Sequence, residues 1–348
     1  MMENVLEVKG LQVTYHTSGG TLKAVNDVSF TLNKEERLGL VGESGSGKTT
    51  LATALMRSVR EPGKIDDGEI LLDGKDLLQL SDEEMRHARS TEISMIPQGA
   101  MNSLNPVMRI QDQMIDTLRD HGVSKSKSEF RKWAEDLLVR VGLPSEVASM
   151  YPHELSGGMK QRVAIATGIS LQPKVIIADE PTSALDVVVQ REVMETLRQA
   201  QQDLGAAVVL IGHDMGLMAQ FADRIGVMYA GKLVEIASVW DIFEKPQHPY
   251  TQLLIASLPS LEEKEVFKGI PGRTPSLLNP PTGCGFHPRC PQAIEQCSQL
   301  VPVLQELENR QMVSCHLYDK TPGYDDPTSS SGNEDMNVNG SSNAALQN

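Results

Sequence analysis

The sequence predicts an α/β protein: a mixed sheet with an antiparallel β subdomain and a helical insertion, followed by a small, loop-rich, Cys-containing C-terminal domain. Three observations point there. Val175-Ile176-Ile177-Ala178 and Ala207-Val208-Val209-Leu210-Ile211 are unbroken apolar runs separated by a helical stretch over 187–202, the pattern of parallel strands covered on both faces. Between about 106 and 150, apolar side chains recur at helical spacing, with Ile110, Met114 and Leu118 on one face and Trp133, Leu137, Leu138 and Val141 on another. Past Ala237, nine prolines from Pro246 to Pro291 crowd one stretch, which leaves it rich in loops.

Taken in order, 5–8, 11–15 and 24–32 read as short strands with Gly19-Gly20 at the turn, an antiparallel start. Arg37-Leu38-Gly39-Leu40-Val41 is a compact apolar strand, followed by a glycine-rich loop and an apolar helix over 49–59. Ser81-Asp82-Glu83-Glu84 has the spelling of a capping box and places a helix start there. The helical insertion is expected over about 100–165, the main domain over 1–240 and a C-terminal extension over 241–320. The tail, 321–348, holds five Ser, five Asn and three Gly and is expected to be disordered, having little apolar surface to bury.

Composition narrows the function. Of 348 residues, 46 are acidic and 32 basic, a formal net charge of −14; this argues against a nucleic-acid partner, whose backbone is gripped by clustered Lys and Arg. The N-terminus lacks the basic start and apolar run of a secretory signal. The longest apolar run, 206–212, falls short of the roughly 18 residues a membrane-spanning helix needs, so any membrane attachment is expected through a partner. Cys284, Cys290, Cys297 and Cys315 all lie in the last fifth of the chain. In a reducing cytosol, clustered thiols bind metal more often than they pair.

Chemistry concentrates in three segments. Gly42-Glu43-Ser44-Gly45-Ser46-Gly47-Lys48-Thr49 matches G-x-x-x-x-G-K-[ST] between a strand and a helix. Its glycines let backbone N–H groups converge on phosphate oxygens at the positive end of the helix dipole. Lys48 would neutralise β- and γ-phosphates, and the Thr49 hydroxyl would ligate Mg²⁺. In the second segment the apolar run 175–178 ends in Asp179-Glu180. There Asp179 can reach Mg²⁺ through water and Glu180 can polarise an attacking water. The third is Leu155-Ser156-Gly157-Gly158-Met159-Lys160-Gln161-Arg162, which sets a hydroxyl and backbone donors at a helix N-terminus, able to meet a γ-phosphate.

With this third segment the chain resembles the ATP-binding-cassette (ABC) ATPases, whose signature is Leu-Ser-Gly-Gly-Gln; Met159 takes the place of the final Gln, as is frequent in importers. The resemblance covers 5 to about 240 and implies a P-loop NTPase ABC cassette that hydrolyses ATP with Mg²⁺. It implies that Tyr15 stacks on adenine and that the nucleotide is held by Gly42, Ser44, Gly45, Gly47, Lys48, Thr49 and Thr50. Ser156, Gly157, Gly158 and the D-loop Asp186 would complete that grip. Gln98 would be the Q-loop residue, a Mg²⁺ ligand beside Thr49 and Asp179, and His213 the switch histidine; with Glu180 these two are the catalytic set. It implies further that two cassettes bind head to tail, each nucleotide lying between the phosphate loop of one and the signature segment of the other, and that the Gln98 region relays motion to membrane-spanning partners.

Within that family, Ser103-Leu104-Asn105-Pro106, His248-Pro249-Tyr250, Ile270-Pro271-Gly272, the stretch 281–291 and Cys315-His316-Leu317 resemble the oligopeptide/dipeptide importers. Gly99-Ala100 departs from the acidic residue and Pro that many members carry. The implied partners are a second ABC ATPase subunit, the same or homologous, two membrane permeases and an extracytoplasmic solute-binding protein, with the chain peripheral on the cytoplasmic face of the membrane. A 4Fe-4S cluster on Cys284, Cys290, Cys297 and Cys315 is also implied, zinc or free thiols being the alternatives for C-x5-C-x6-C-x17-C spacing. Oligosaccharide or nickel import is the alternative transport reading. A soluble non-transport ABC ATPase usually carries two cassettes or a coiled coil, and a phosphotransferase leaves 155–162 without a role.

Overall fold

A computed structural model describes residues 3–99, 103–258, 269–307 and 310–319. The expected tail at 321–348 and the start of the Gln98-proximal segment at 100–102 lie outside them. Residues up to Cys315 form one compact unit; from His316 on, a second unit is described only by the turn His316–Tyr318, where His316 Nδ1 meets Asp319 Oδ2 at 2.6 Å.

The antiparallel start is present. Strands β1 (Asn4–Thr17) and β2 (Gly20–Asn33) pair antiparallel, and β1 also pairs with β4 (Gly63–Leu72), which turns back into β5 (Lys75–Asp76). The second sheet runs β11-β12-β10-β9-β3-β8-β7-β6. Its centre is parallel: β9 (Arg224–Tyr229), β3 (Arg37–Val41), β8 (Ala207–Ile211), β7 (Val175–Asp179) and β6 (Ile93–Ile96). The edge is antiparallel: β10 (Lys232–Ser238) pairs with β9 and with the short β12 (Met312–Val313), which pairs with β11 (Gln305–Glu306). Two strands of the C-terminal stretch thus extend the main sheet.

Every residue of β7 and β8 is buried, because the twofold alternation of a strand feeds two cores. Ile176, Ala178, Val208 and Leu210 enter one; Val175, Ile177, Ala207, Val209 and Ile211 enter the other. The second core is roofed by the antiparallel sheet and by helix α1 (Lys48–Leu55). After α2 (Asp82–Thr91), begun by the Ser81/Glu84 capping box, the insertion supplies α3 (Ile110–Asp120) and α4 (Lys127–Arg140) to the first core, Met114, Leu137, Leu138 and Val141 being buried. They are joined there by α5 (Gly157–Ile169), α6 (Val187–Leu204) and α7 (Met215–Phe221). Beyond β10, α8 (Val239–Glu244) and α9 (Pro249–Ala256) lead into the loop-rich stretch, which carries the four-residue α10 (Gln296–Gln299); Tyr250 of α9 and Phe286 of that stretch are buried in the same core.

Candidate functional site

Because β3, β8, β7 and β6 are parallel neighbours, their carboxyl ends open on one edge, where α/β sheets gather ligands. The residues that follow them are Gly42, Gly212-His213, Glu180 and Pro97-Gln98.

Gly42, Gly45 and Gly47 all have positive φ (150°, 78° and 101°). At Gly42 and Gly47 space demands glycine as well: a Cβ would stand 2.2 Å from the Met228 carbonyl oxygen and 2.1 Å from that of Ala24. Gly45 has open space around it, so only its backbone angle makes the demand. Ser44 and Gly45 are exposed at the loop's tip, and Thr50 is half-buried on α1. Lys48, itself buried, bends back so that Nζ donates to the carbonyls of Gly42 (2.8 Å) and Glu43 (3.0 Å) and to Ser46 Oγ (3.2 Å). Burial lowers its pKa, while Glu180, Asp179 and Glu43 act to raise it.

Thr49 Oγ1 donates to Asp179 Oδ1 at 3.3 Å. Asp179 is 1% exposed, and its Oδ2 has no hydrogen-bond partner among the described residues. Desolvation raises its pKa, aided by Glu180 and opposed by Thr49 and Lys48. A buried carboxylate with an orphaned oxygen, beside a hydroxyl whose lone pairs remain free, fits a hard divalent cation that is otherwise held by phosphates and water.

Glu180 sits at φ 44°, an uncommon angle for a side-chain-bearing residue. Its N–H donates to the Ile211 carbonyl (2.9 Å), and its own carbonyl accepts from Ser183 N and Oγ (3.1 Å each). The carboxylate is thereby aimed between two partners: Gln98 Nε2 donates to Oε2 at 2.7 Å, and His213 Nδ1 lies 3.6 Å from Oε1. The structure thus gathers Lys48, Thr49, Asp179, Glu180, Gln98 and His213 at one edge.

Ser156 is the N-cap of α5, accepting from Met159 N at 3.3 Å, and Asp186 is the N-cap of α6, accepting from Val188 N and Val189 N at 3.1 and 3.0 Å. The two helix starts touch. A Cβ on Gly158 would stand 2.5 Å from Val189 Cγ1, so this glycine is required by helix packing. Ser156 is exposed and Gly157 half-buried, while Val187 and Val188 beside Asp186 are 80% and 69% exposed. Tyr15 lies half-buried in β1 with Cε1 2.6 Å from where a Cβ on Gly63 would stand. No hydrogen bond among the described residues joins Tyr15, Ser156 or Asp186 to the phosphate loop of the same chain.

The cysteines are less converged. The backbone of Cys284 donates to the Cys297 carbonyl at 2.8 Å, and Cys297 and Cys315 are buried. Yet among the described residues no three His, Cys, Asp or Glu side chains stand together as a metal-binding set, so the placement as it stands does not form a four-thiolate cage. Burial raises the Cys284 and Cys290 thiols, while backbone N–H groups of Phe286, His287 and Gln292 act to lower them.

Sequence reasoning missed Ser46 and Glu43. Ser46 Oγ was one variable letter of the loop pattern. Glu43 is held by Arg289, Tyr250 and Thr274, and nothing local signals contacts that span more than 200 residues.

Comparison with known proteins agrees with this geometry. The ABC transporter family matches residues 25–183, and the family "Oligopeptide/dipeptide transporter, C-terminal region" matches 234–297. The chain is 43% identical over 323 residues to the dipeptide transport ATP-binding protein DppD of Bacillus subtilis (strain 168), covering 92% of this chain and 96% of that one. It is 42% identical over 314 residues to the oligopeptide transport ATP-binding protein OppD of Escherichia coli (strain K12), covering 89% and 92%. Among solved structures, the ATP-binding cassette MJ0796, dimeric in a post-hydrolysis state bound to ADP and Pi, superposes with a TM-score of 0.61 at 28% identity over 67% of this chain and 98% of its own. The parallel-strand edge with its phosphate loop, and likeness at this level over nine-tenths of the chain, place it: the chain belongs to the ATP-binding-cassette ATPase subunits of the oligopeptide/dipeptide importer family.

Proposed function

We propose that this chain hydrolyses ATP to drive uptake of peptides through membrane permeases, with Lys48 and the loop backbone gripping the triphosphate and Glu180 as the base. Thr49 and Asp179 would hold Mg²⁺, with Gln98 beside them; when bound, the ion neutralises phosphate oxygens that the protein alone cannot. Glu180 orients and polarises the water, its carboxylate kept in place by the backbone bonds at Ile211 and Ser183. Gln98 and His213 face its two oxygens, positions from which one reads the cation and the other the γ-phosphate.

Tyr15, Ser156, Gly157, Gly158 and Asp186 have no bond to the loop of their own chain among the described residues, in keeping with roles toward the base and toward a second cassette's nucleotide. The adjoining N-termini of α5 and α6 present N–H groups suited to a phosphate. The exposed Val187 and Val188 beside them suit a contact face. No helix among the described residues is long and apolar enough to cross a membrane, so attachment to the cytoplasmic face would be peripheral, through two permeases, with a solute-binding protein supplying cargo outside. The division near residue 240 and a 4Fe-4S cluster on the four cysteines belong to the same proposal, the cluster on the likeness to the importers' C-terminal region alone, since the thiols stand raised by burial and no metal-binding set is formed among the described residues. Iron and sulfide assays on anaerobically purified protein test the cluster, and absence of both removes it.

The observation that carries peptide import is that the likeness to relatives named for dipeptide and oligopeptide transport continues through the C-terminal stretch. Proteoliposomes holding the chain with a second cassette and two permeases, supplied with a solute-binding protein outside, are expected to accumulate labelled di- or oligopeptide only with internal ATP. Uptake of an oligosaccharide or of nickel instead would replace the substrate, and ATP turnover without uptake of any of them would remove the transport role.

A further inference from the structure

We infer that Arg289, in the loop-rich C-terminal stretch, is a positioning residue for the nucleotide loop: it acts through Glu43 to neutralise a carboxylate built into the phosphate cradle. The inference rests on the reading of Gly42–Thr49 as the triphosphate grip. Glu43 is the second residue of that loop, and its carboxylate lies close enough to Lys48 for the two charges to interact, so an uncancelled charge there would oppose a polyanion held by Lys48. Arg289 Nη1 donates to Glu43 Oε2 at 2.9 Å and Nη2 to Oε1 at 3.0 Å, a two-pronged pair. The Arg289 side chain is 6% exposed and that of Glu43 23%, so water does little to screen the pair.

The guanidinium is fixed from behind: Nε donates to the Pro271 carbonyl (2.8 Å), Nη2 to the Ile270 carbonyl (3.3 Å) and Nη1 to Tyr229 Oη (3.1 Å). The loop is held from the same side at two more points, since Glu43 N donates to Tyr250 Oη (3.0 Å) and Thr274 Oγ1 to Glu43 Oε2 (2.5 Å). Burial pushes the Glu43 carboxyl up, but Arg289, Thr274 and Lys48 together pull it below the usual carboxylate range. Without Arg289, a bare carboxylate would remain beside Lys48 and compete with phosphate for it. The C-terminal stretch therefore sets how strongly the loop attracts nucleotide.

Binding of Mg·ATP and steady-state hydrolysis by the full-length chain test this in Arg289→Ala, Arg289→Lys, Glu43→Gln and the Arg289→Ala/Glu43→Gln double variant, with Lys48→Ala as control. Arg289→Ala is expected to raise Kd and KM about tenfold with kcat within about twofold, the pattern of lost uniform binding. The double variant is expected to recover most of that loss, because the offending charge is gone; Arg289→Lys, which keeps the charge without the fork, is expected to fall between. An unchanged Kd in Arg289→Ala, or a double variant no better than Arg289→Ala alone, overturns the inference. Should Arg289→Ala not fold, Arg289→Gln, which removes the charge but keeps a hydrogen-bonding side chain of similar reach, carries the test, and wild-type affinity in it overturns the inference equally. An unchanged Kd in Lys48→Ala instead overturns the nucleotide-loop reading itself.

Discussion

Asp179 sits where its charge works against stability, buried with one oxygen unpartnered among the described residues. Burial makes its charge costly, and its pKa is raised accordingly. Asp179→Asn removes that charge, so thermal unfolding is expected at the same temperature or higher while Mg²⁺-dependent turnover falls about a hundredfold or more; calorimetry beside an ATPase assay checks both. His248 poses the opposite problem. It is buried, caps α9 by accepting from Tyr250 N at 3.0 Å, and desolvation depresses its pKa from 6.5 to about 3. The unfolded chain therefore takes up a proton that the folded chain refuses, and stability present above pH 6.5 is lost as pH falls toward 3. His248→Asn, which keeps a capping acceptor and cannot titrate, is expected to flatten part of this acid-side loss in denaturant melts between pH 7 and pH 4; an unchanged slope would show that His248 is not its source.

Among the elements, those legible in the sequence were the ones whose signals are local. The apolar runs at 175–178 and 207–211 became β7 and β8 because a doubly covered strand needs no polar alternation. The Ser81/Glu84 spelling became a capping box in which Glu84 N donates to Ser81 Oγ and Ser81 N to Glu84 Oε2. Ser81→Ala is expected to lower stability by about 1 kcal/mol, measurable by urea unfolding; no change would mean that the cap is redundant with packing. The helix over 49–59 proved shorter, Lys48–Leu55, because Arg57 turns to positive φ. Strands β4, β6, β9 and β10 carried weaker local signals and are fixed by partners: β6, only four residues long, is defined by its register with β7, Ile93 opposite Val175.

At the scale of the molecule, local motifs sufficed to single out Lys48, Thr49, Asp179 and Glu180, which the fold brings to one edge, their chemical roles resting with the proposal. Geometry added what no motif spells. Parallel neighbours set Gln98 and His213 on either side of Glu180, and Glu43 is tied to Arg289 across the whole chain. The cysteines are the reverse case, since their clustering in sequence does not bring three of them into a metal-binding set among the described residues. The chain's own loop and its Ser156 corner, unbonded to each other, suit pairing between cassettes. Light scattering of Glu180→Gln mixed with its partner cassette is therefore expected to show association with ATP and dissociation with ADP; equal masses in the two nucleotides would argue against a shared γ-phosphate.

The most direct test of the account is Mg·ATP binding and turnover measured side by side in Glu180→Gln and Lys48→Ala. Glu180→Gln is expected to bind ATP as the wild type does while hydrolysis falls about 10²- to 10⁴-fold, and Lys48→Ala to lose at least about tenfold in affinity. Normal hydrolysis by Glu180→Gln, or wild-type affinity in Lys48→Ala, would contradict it.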